Sequence, residues 1–493
     1  MKHAPLRGRT MFAAAIVLVL AACAHAPAKL GQPALRDDVP LAGLQTPARA
    51  GWPASQWWRQ YHDPQLDDLI DRAMQQSPDL ALARSRVNHA EQSAKLAAAQ
   101  LGLSVNGSAQ ASRQRLSDHG LIPSQFLGFS WYNQAEVGAQ LQYDFDWWGK
   151  KRATMEAALD QAHAAEAERS AAALALQYAV ADTYFGWQAD QARLQLVDQL
   201  LANQEQFQRI ADLRVKQGVD LPDQAQQALA QLAAVREMRV ALDGSAKIRR
   251  VSLASLLGLS PDQLPHLQPH ALPGVDGGLP ADVRLDLIAR RPDIAASRWQ
   301  VEAALRKTDA ARAEFFPDFS ISAMAGLSSI DMGKLLTAGS RTFALTPALH
   351  LPIFNGGSLE ANYGVSKAQL DAAVSQYNSV VLAAAREVAT QALSAQQIAA
   401  RRHEQQAQLV ADGHLLASAQ ARARQGVRDA RESLAAQAQL LQQRDAATQL
   451  QAQAVSTDLS LIKALGGGYQ APHRANATPS SSDTSGAADH ERH

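Results

Sequence analysis

The chain has 493 residues, with 47 basic and 47 acidic side chains, and 47% of its residues are hydrophobic while only 5% are aromatic. The charge balance gives no sign of a basic surface for nucleic acid, and the low aromatic content favours close packing of small apolar side chains over a thick globular core. No run of about 18 apolar residues follows the N-terminus, so the sequence predicts no membrane-spanning helix.

The N-terminus has the pattern of an export signal. Lys2, Arg7 and Arg9 precede the apolar stretch 11–20, which ends in the segment Leu20-Ala21-Ala22-Cys23. This order of basic, apolar and small residues is typical of bacterial secretory signals.

The end of this signal resembles a lipobox, in which the cysteine becomes the lipid-modified first residue after cleavage. We therefore predict a lipoprotein signal peptide over 1–22, a lipid-anchored segment over 23–76, and Cys23 as the lipidation site. Ala24 follows in place of an aspartate, which favours the outer membrane as the destination. An ordinary cleaved signal followed by an incidental cysteine is the alternative. Since Cys23 is the single cysteine of the chain, no internal disulfide can form.

The remainder of the chain is a duplication. Residues 143–259 match residues 351–467 at a constant shift of 208 positions without a gap, and residues 78–87 match 292–301 at a shift of 214. Self-similarity of this kind marks a repeated supersecondary unit.

The chain thus divides into two repeats with a connector and a tail. We place the repeats at 77–259 and 292–468. The connector, 260–291, is rich in proline and is predicted to have little regular structure. The tail, 469–493, includes a serine run and is predicted to be disordered.

Each repeat contains two stretches in which apolar and polar residues alternate. This is the period of a β-strand with one apolar face, and about 9–11 residues is the length that a tilted strand needs to cross a bilayer. A soluble sheet with one wet face would show the same alternation, so the strands alone leave both interpretations open. The apolar positions are Leu103, Val105, Gly107 and Ala109; Ala135, Val137, Ala139, Leu141, Tyr143 and Phe145; Phe319, Ile321, Ala323 and Ala325; and Phe343, Leu345, Pro347, Leu349, Leu351 and Ile353.

The polar face of the second strand offers candidates for a pore lining. Glu136, Gln140, Gln142 and Asp144 lie on this face and would give a pore a polar, partly acidic wall. The alternative is that these residues only avoid lipid. The pair Trp147-Trp148 ends the strand where an aromatic belt is expected.

Each strand pair leads into a long helix that reverses and returns. Residues 150–214 contain no proline and one glycine, which predicts a helix of about 98 Å, and 358–424 behaves the same way. The return helices are predicted over about 222–257 and 429–465. Stacked end to end with the shorter helices that begin at proline residues 78 and 292, they would match the long helices in length. In the last helix, apolar residues recur every seven positions, which predicts coiled-coil packing.

The two helix reversals are candidates for a gate. Gly218 and Gly426 can adopt the left-handed conformation that ends a helix. Charged residues beside them could control a constriction through ion pairs between chains, although turns are usually polar in any case. The gate candidates are Asp220, Asp223, Arg428 and Asp429, with Arg428 and Arg424 as possible partners for the acids.

The sequence lacks common motifs of enzyme active sites. The sequence has no phosphate-binding Gly-Lys loop, no His-Glu-x-x-His helix and no nucleophile elbow. Its histidines are scattered and its methionines do not cluster. We therefore expect no enzymatic activity, no cofactor and no metal.

Four motifs in order resemble the NodT-type outer membrane efflux lipoproteins of the TolC family, and the resemblance covers about residues 50–469. These motifs are Trp57-Trp58 with Asp63-Pro64-Gln65-Leu66; Tyr143-Asp144-Phe145-Asp146-Trp147-Trp148-Gly149-Lys150; Arg290-Arg291-Pro292-Asp293-Ile294 with Phe315-Phe316-Pro317; and Lys463-Ala464-Leu465-Gly466-Gly467-Gly468.

The resemblance implies a mainly α fold with a transmembrane β-barrel portion. Three chains would each give four strands to a twelve-stranded barrel, which long helices continue as a periplasmic tunnel. The residues alone require several copies, because four strands cannot close a barrel and open edges are not tolerated in lipid. That the number is three comes from the resemblance.

The implied function is passive export of drugs or small toxic compounds across the periplasm and outer membrane. Implied partners are a periplasmic adaptor, an inner-membrane pump and outer membrane lipid, with no role for nucleic acid. The segment 430–434 departs from the Leu-rich run common in partners of RND pumps, which leaves the pump class open. A type I protein-secretion duct and a general diffusion porin are the alternatives, and a porin would not need the long helices.

Overall fold

The computed structural model describes residues 26–39, 51–117, 119, 124–275, 277–280, 283–427 and 429–471. The helices are α1 (Pro64–Gln76), α2 (Pro78–Ala99), α3 (Ser124–Leu127), α4 (Lys150–Lys216), α5 (Pro222–Leu256), α6 (Val283–Arg290), α7 (Pro292–Ala313), α8 (Ser358–Arg424) and α9 (Ala430–Ala464). The strands are β1 (Ser104–Arg115), β2 (Trp131–Phe145), β3 (Asp318–Ser329) and β4 (Arg341–His350).

The long helices of the two repeats are equal in length. Helices α4 and α8 each have 67 residues, and the return helices α5 and α9 each have 35. The predicted bounds of α8 are confirmed, and α4 runs two residues further than predicted. In each long helix a glycine with positive φ, Gly149 or Gly357, holds the N-cap position and turns the chain from the sheet into the helix.

The predicted end-to-end stacking of return and short helices is also confirmed. Helix α5 ends against the start of α2, so close that a Cβ atom on Gly258 would lie 2.9 Å from the Gln76 carbonyl oxygen. Helix α9 ends against the start of α7, where a Cβ atom on Gly466 would lie 1.9 Å from the Arg290 carbonyl oxygen. A glycine is therefore required at both junctions.

Helix α4 occupies the middle of the helical layer. On one side it packs against α2 and α5, and on the other it packs against α7 and α9, which in turn pack against α8. The stacked pair α2 and α5 thus forms one flank of the chain, and α8 forms the other.

The apolar core lies where these helices meet the N-terminal segment. One cluster includes Trp57, Trp58 and Tyr184, and joins the short 3-10 helix Trp57–Tyr61 to α1 and α4. A second cluster joins α7, α8 and the end of α9, and it buries Val39 of the N-terminal segment. The heptad positions Leu434, Leu441, Val455 and Ile462 of α9 are buried, as the seven-residue spacing predicted.

The four strands form one antiparallel sheet in the order β1-β2-β3-β4. Within the described residues, β1 and β4 each have one neighbour, so each leaves a row of backbone groups unpaired along one edge of the sheet.

Three details differ from the sequence prediction. Strand β4 ends at His350, so Leu351 and Ile353 do not continue it; Pro352 between them has no N–H for a strand hydrogen bond. The connector 260–291 includes helix α6. At the start of the predicted tail, Tyr469 packs against Ala167 and Ala295, while residues 472–493 lie outside the described part of the chain.

Candidate functional site

One face of the sheet is apolar across all four strands. The register pairs Leu141 of β2 with Val105 on β1 and with Ala323 on β3, and Ala323 in turn pairs with Leu345 on β4. Paired residues of an antiparallel sheet point to the same side, so the alternations predicted separately from the sequence fall on one common face. This face is uncovered in the single chain, as shown by the exposed fractions of Phe343 (87%) and Leu345 (71%). An exposed apolar surface of this extent is typical of contact with a membrane or another chain.

The four candidate lining residues lie together on the opposite face of β2. Glu136 accepts a hydrogen bond from the Ser328 hydroxyl of β3 at 3.3 Å, and Asp144 accepts one from the Gln142 amide at 2.8 Å. The Lys151 ammonium lies 2.9 Å from Asp144. Among the described residues no basic side chain forms a salt bridge with Glu136, whereas Asp144 is paired with Lys151 at the end of the sheet nearest the helices.

The tryptophans after β2 pack at the boundary between the sheet and the helices. Trp147 stacks on Phe319 with ring centroids 5.2 Å apart, and Trp148 stacks on Phe316 at 4.5 Å. The Trp148 indole N–H also donates to the Pro317 carbonyl at 2.9 Å. These contacts hold the segment that precedes α4 to the segment between α7 and β3 and to the start of β3.

Both predicted helix reversals have the geometry that a glycine permits. Gly218 has φ of +70° and Gly426 has φ of +68°. Beyond each glycine a backbone N–H reaches back into the last turn: Val219 donates to Arg214, and Val427 donates to Arg422. This is the Schellman motif, which satisfies carbonyl groups that a helix end leaves free.

Two arginines and two aspartates form an ion network at the tips. Nε and Nη2 of Arg214 lie 2.9 and 3.1 Å from the two carboxylate oxygens of Asp220. Arg431 reaches Asp220 at 2.7 Å and Asp429 at 2.9 Å. A longer contact of 3.4 Å joins Arg214 to Asp429. Asp220 lies in the turn between α4 and α5, which form the first hairpin, and Arg431 lies in α9, which forms the second hairpin with α8. This tip network of Arg214, Asp220, Asp429 and Arg431 therefore joins the two hairpins of one chain.

Asp220 is the most enclosed member of the tip network. Its side chain is 7% exposed, whereas that of Arg431 is 22% exposed. The hydrogen bonds from Arg214 hold the pKa of the Asp220 carboxyl below its ordinary value. The pKa of Asp429 is also lowered, mainly because its carboxylate accepts the backbone N–H of Arg431 at the start of α9.

The structure thus brings together two of the four gate candidates. Asp223 is exposed at the start of α5, and Arg428 lies outside the described residues. Asp220 and Asp429 form ion pairs within their own chain with Arg214 and Arg431, which were not among the predicted partners. Ion pairs between chains stay a prediction. The second tip has a pair of its own, in which Arg422 binds Glu432.

Cys23, the predicted lipidation site, lies outside the described residues, but the structure describes residues 26–39 of the segment that follows it. Arg312, in the last turn of α7, donates to the Pro27 carbonyl at 2.7 Å. The segment then follows α8, where the Arg36 backbone N–H donates to the Asn378 side chain at 3.1 Å. Cys23 is therefore within four residues of the end of the helices that adjoins the sheet.

Among the described residues, no group of three or more His, Cys, Asp or Glu side chains is arranged to hold a metal ion. Nor does any helix in the described ranges combine the length and the apolar character that crossing a membrane as a helix would need.

Comparison with known proteins identifies the family. The family model described as "Outer membrane efflux protein" matches residues 69–259 and 284–467. The chain belongs to the outer membrane efflux protein family. This confirms the resemblance that the four motifs indicated.

The relatives of this outer membrane efflux protein match it along almost their full length. The multidrug resistance outer membrane protein MdtP of Escherichia coli K12 is 35% identical over 91% of this chain and 92% of its own. MdtQ of Escherichia coli O157:H7, also named a multidrug resistance outer membrane protein, is 33% identical over 92% and 97%. The crystal structure of the outer membrane protein VceC from Vibrio cholerae is 32% identical, covers 85% of this chain and 100% of that one, and superposes with a TM-score of 0.77. The efflux protein therefore has the TolC-like fold and is an outer membrane channel protein.

Proposed function

We propose that this chain forms the outer membrane duct of a tripartite efflux system that exports drugs or small toxic compounds. In this proposal it assembles as a homotrimer, is anchored by a lipid on Cys23, and receives its cargo from a periplasmic adaptor and an inner-membrane pump. The observation that carries the proposal is the sheet with an apolar face and two unpaired edges, continued by a helical layer of uniform length.

The strand number supports assembly from several copies. One chain supplies four strands with open edges, and open edges are not tolerated in hydrocarbon. Two copies would give eight strands, and a barrel of about eight strands is filled by its own side chains or holds one small ligand. Three copies are therefore the smallest number that leaves an aqueous passage.

The flanking helices support the same closure. On α5, the exposed residues Leu229, Val240 and Val251 are spaced by 11 positions, and on α8 the exposed residues Leu382 and Leu393 have the same spacing. Eleven residues make three turns of a nearly straight helix, so each set forms one apolar row. Because α5 and α8 lie on opposite flanks, the row of one copy can pack against the row of the next.

The tips support a gate at the periplasmic end. The tip network joins the hairpins of one chain by charge, and it lies at the end of the helices far from the sheet. In the proposed mechanism the tip network stabilises the closed arrangement, and docking of the adaptor breaks it. Glu136, Gln140, Gln142 and Asp144 line the outer membrane part of the passage in this proposal.

The experiment that tests the proposal measures both drug export and the oligomeric state of each variant. We expect the wild-type gene to restore drug resistance in a strain that lacks its own outer membrane duct but retains the adaptor and pump, and we expect the purified protein to have the mass of a trimer by native mass spectrometry. Val240→Asp places a charge in the apolar row of α5 and should abolish both. Ala234→Asp, exposed on the same helix about a third of a turn away, is the matched control and should retain both.

The alternative functions predict other results in the same assays. A general porin would restore small-molecule diffusion without the adaptor and pump, and a protein-secretion duct would restore secretion of a polypeptide instead of drug resistance. A monomeric wild-type protein with its strands formed would contradict the shared barrel.

A further inference from the structure

The apolar face of the sheet carries charge at one end only. Three of the residues that point to this side are charged, and all of them are arginines: Arg113 and Arg115 of β1 and Arg341 of β4. The register fixes this orientation, because Arg113 pairs with Asn133 and Arg341 pairs with Leu327, both of which share the face of Val137. No aspartate or glutamate of the four strands points to this side.

The arginines lie where the apolar band stops. On β1 the apolar positions run from Val105 to Ala111, about 20 Å along the strand, and Arg113 comes next. This end is remote from the long helices, because the connections from β1 to β2 and from β3 to β4 are there. Trp131 lies beside Arg113, with the guanidinium 5.5 Å from the ring centroid. Tryptophan and arginine at this height are typical of the boundary between hydrocarbon and headgroups.

Two of these arginines are exposed and could bind an anion. In the described part of the chain, no carboxylate forms a salt bridge with Arg113 or with Arg341, and both residues are exposed. Arg115 has an interaction of its own and is not part of the proposed site.

The two arginines lie on the two edge strands of the sheet. Strand β1 runs toward the remote end and reaches it at Arg113, and β4 starts from that end at Arg341. When copies close a barrel, β4 of one copy becomes the antiparallel neighbour of β1 of the next. The guanidinium groups of Arg341 from one copy and Arg113 from the next then lie on this pair of neighbouring strands, on the same outward side and at the same end. This step rests on the proposed assembly.

We propose that Arg113 of one copy and Arg341 of the next form a binding site for the phosphate groups of the glycolipid in the outer leaflet. A guanidinium presents paired N–H groups that match phosphate oxygens, and its attraction to phosphate is strongest where headgroups replace bulk water. The remote end of the sheet faces the outer leaflet, because the helices extend to the periplasmic side. The outer leaflet of such a membrane is rich in phosphorylated glycolipid, which makes this lipid the occupant that fits both the charge and the depth.

The test measures lipid binding by the purified channel in detergent. The probes are lipid A with both phosphates, dephosphorylated lipid A, and phosphatidylglycerol. We expect the wild-type protein to bind phosphorylated lipid A about tenfold more tightly than the dephosphorylated form, as charge-assisted hydrogen bonds allow. The double variant Arg113→Gln with Arg341→Gln should lose this preference. Lys334→Gln removes a cation from the β3–β4 connection at the same end and should keep the preference.

Other outcomes overturn the proposal. A wild-type protein without a preference, or a double variant that keeps it, would show that the arginines do not bind phosphate. Equal binding of phosphatidylglycerol would show a general attraction to anionic lipid and refute the glycolipid assignment. If the double variant does not assemble, Arg113→Lys with Arg341→Lys retains the charge without the guanidinium fork. That variant should bind phosphorylated lipid A less tightly, and unchanged binding contradicts the proposal.

Native mass spectrometry of the same samples separates this proposal from the assembly it rests on. A trimer without phosphate preference refutes the lipid site alone. A wild-type monomer refutes the shared barrel.

Discussion

At the scale of single residues, the tip network shows how charge can hold two hairpins together. Arg431 is its central member, because it contacts Asp220 of the first hairpin and Asp429 of its own. The duplication does not repeat this arrangement. The position of Asp220 corresponds to Arg428 in the second repeat, so the two tips have opposite charges at equivalent places.

The first prediction concerns this cation. Replacing Arg431 with Ala removes the contacts of its guanidinium with Asp220 and Asp429. The longer contact of Arg214 with Asp429 is then the one ion pair of the tip network that still joins the hairpins. We expect the closed tip to loosen and the single-channel conductance in planar bilayers to rise. Arg424→Ala removes an exposed arginine from the same end of α8 and should leave the conductance unchanged. Equal conductance of the Arg431 variant and the wild type would place the constriction elsewhere.

The second prediction is a pH dependence of the same tip. The pKa of Asp220 and that of Asp429 are lowered in the folded protein. A carboxylate with a lowered pKa adds stability at pH values above its unfolded pKa of about 4, and this stability is lost as the pH falls through the folded pKa. The ion pairs of the tip network should therefore hold the tip closed from neutral pH down to about 4, and the tip should open below that pH.

Conductance recorded between neutral and acid pH checks this dependence. Asp220→Asn should remove most of it, because the side chain can no longer ionise. Asp223→Asn changes an exposed carboxylate near the same turn and should retain it. Conductance that is flat in the wild type would contradict the role of these carboxylates.

At the scale of elements, the long helices and their end-to-end stacking with the short helices were predictable, whereas the end of β4 and the tip network were not. The bounds of α8 followed from the sequence because a glycine precedes it, helix formers fill it, and a Gln-Gly turn ends it. The end of β4 was predicted wrongly because the alternation of apolar residues continues past His350, although Pro352 cannot take part in the sheet. The tip network was missed because Asp220 and Arg431 are 211 positions apart, and only folding brings them together.

The third prediction tests the joint between α9 and α7. A methyl group at Gly466 would lie 1.9 Å from the Arg290 carbonyl oxygen, and the residue has φ of +92°. We expect Gly466→Ala to destabilise the folded chain by about 3 kcal/mol or more. Gly413→Ala, within α8 and with no atom within 4 Å, should instead stabilise it by roughly 0.5–1 kcal/mol. Thermal unfolding followed by the helical circular dichroism signal measures both, and an unchanged melting temperature of the Gly466 variant would show that the joint can open.

At the scale of the whole molecule, the N-terminal segment ties the predicted lipid anchor to the helical layer. Pro27 is held at the end of α7, and Val39 is buried with α7 and α8 in the second apolar cluster. Four extended residues span at most about 14 Å, so the lipid on Cys23 would be close to the membrane end of the helices.

The fourth prediction separates this anchor from the fold. Cys23→Ser should abolish incorporation of radiolabelled palmitate, while the assembled protein keeps its mass and its helical content. The described core and strands do not use this thiol, so no loss of stability is expected. Palmitate incorporation into the variant would contradict the lipoprotein assignment.

The equal lengths of the two hairpins have a consequence for how this chain can evolve. Helices α4 and α8 have 67 residues each and α5 and α9 have 35 each, and the tips of both hairpins meet at the contact between Asp220 and Arg431. One residue inserted into a single helix would shift its tip by about 1.5 Å and rotate it by about 100°. Insertions and deletions should therefore be tolerated when they occur as compensating changes in both repeats. A channel with longer or shorter helices would therefore require matching insertions or deletions in both repeats, so the length of each repeat limits how the length of the other can change.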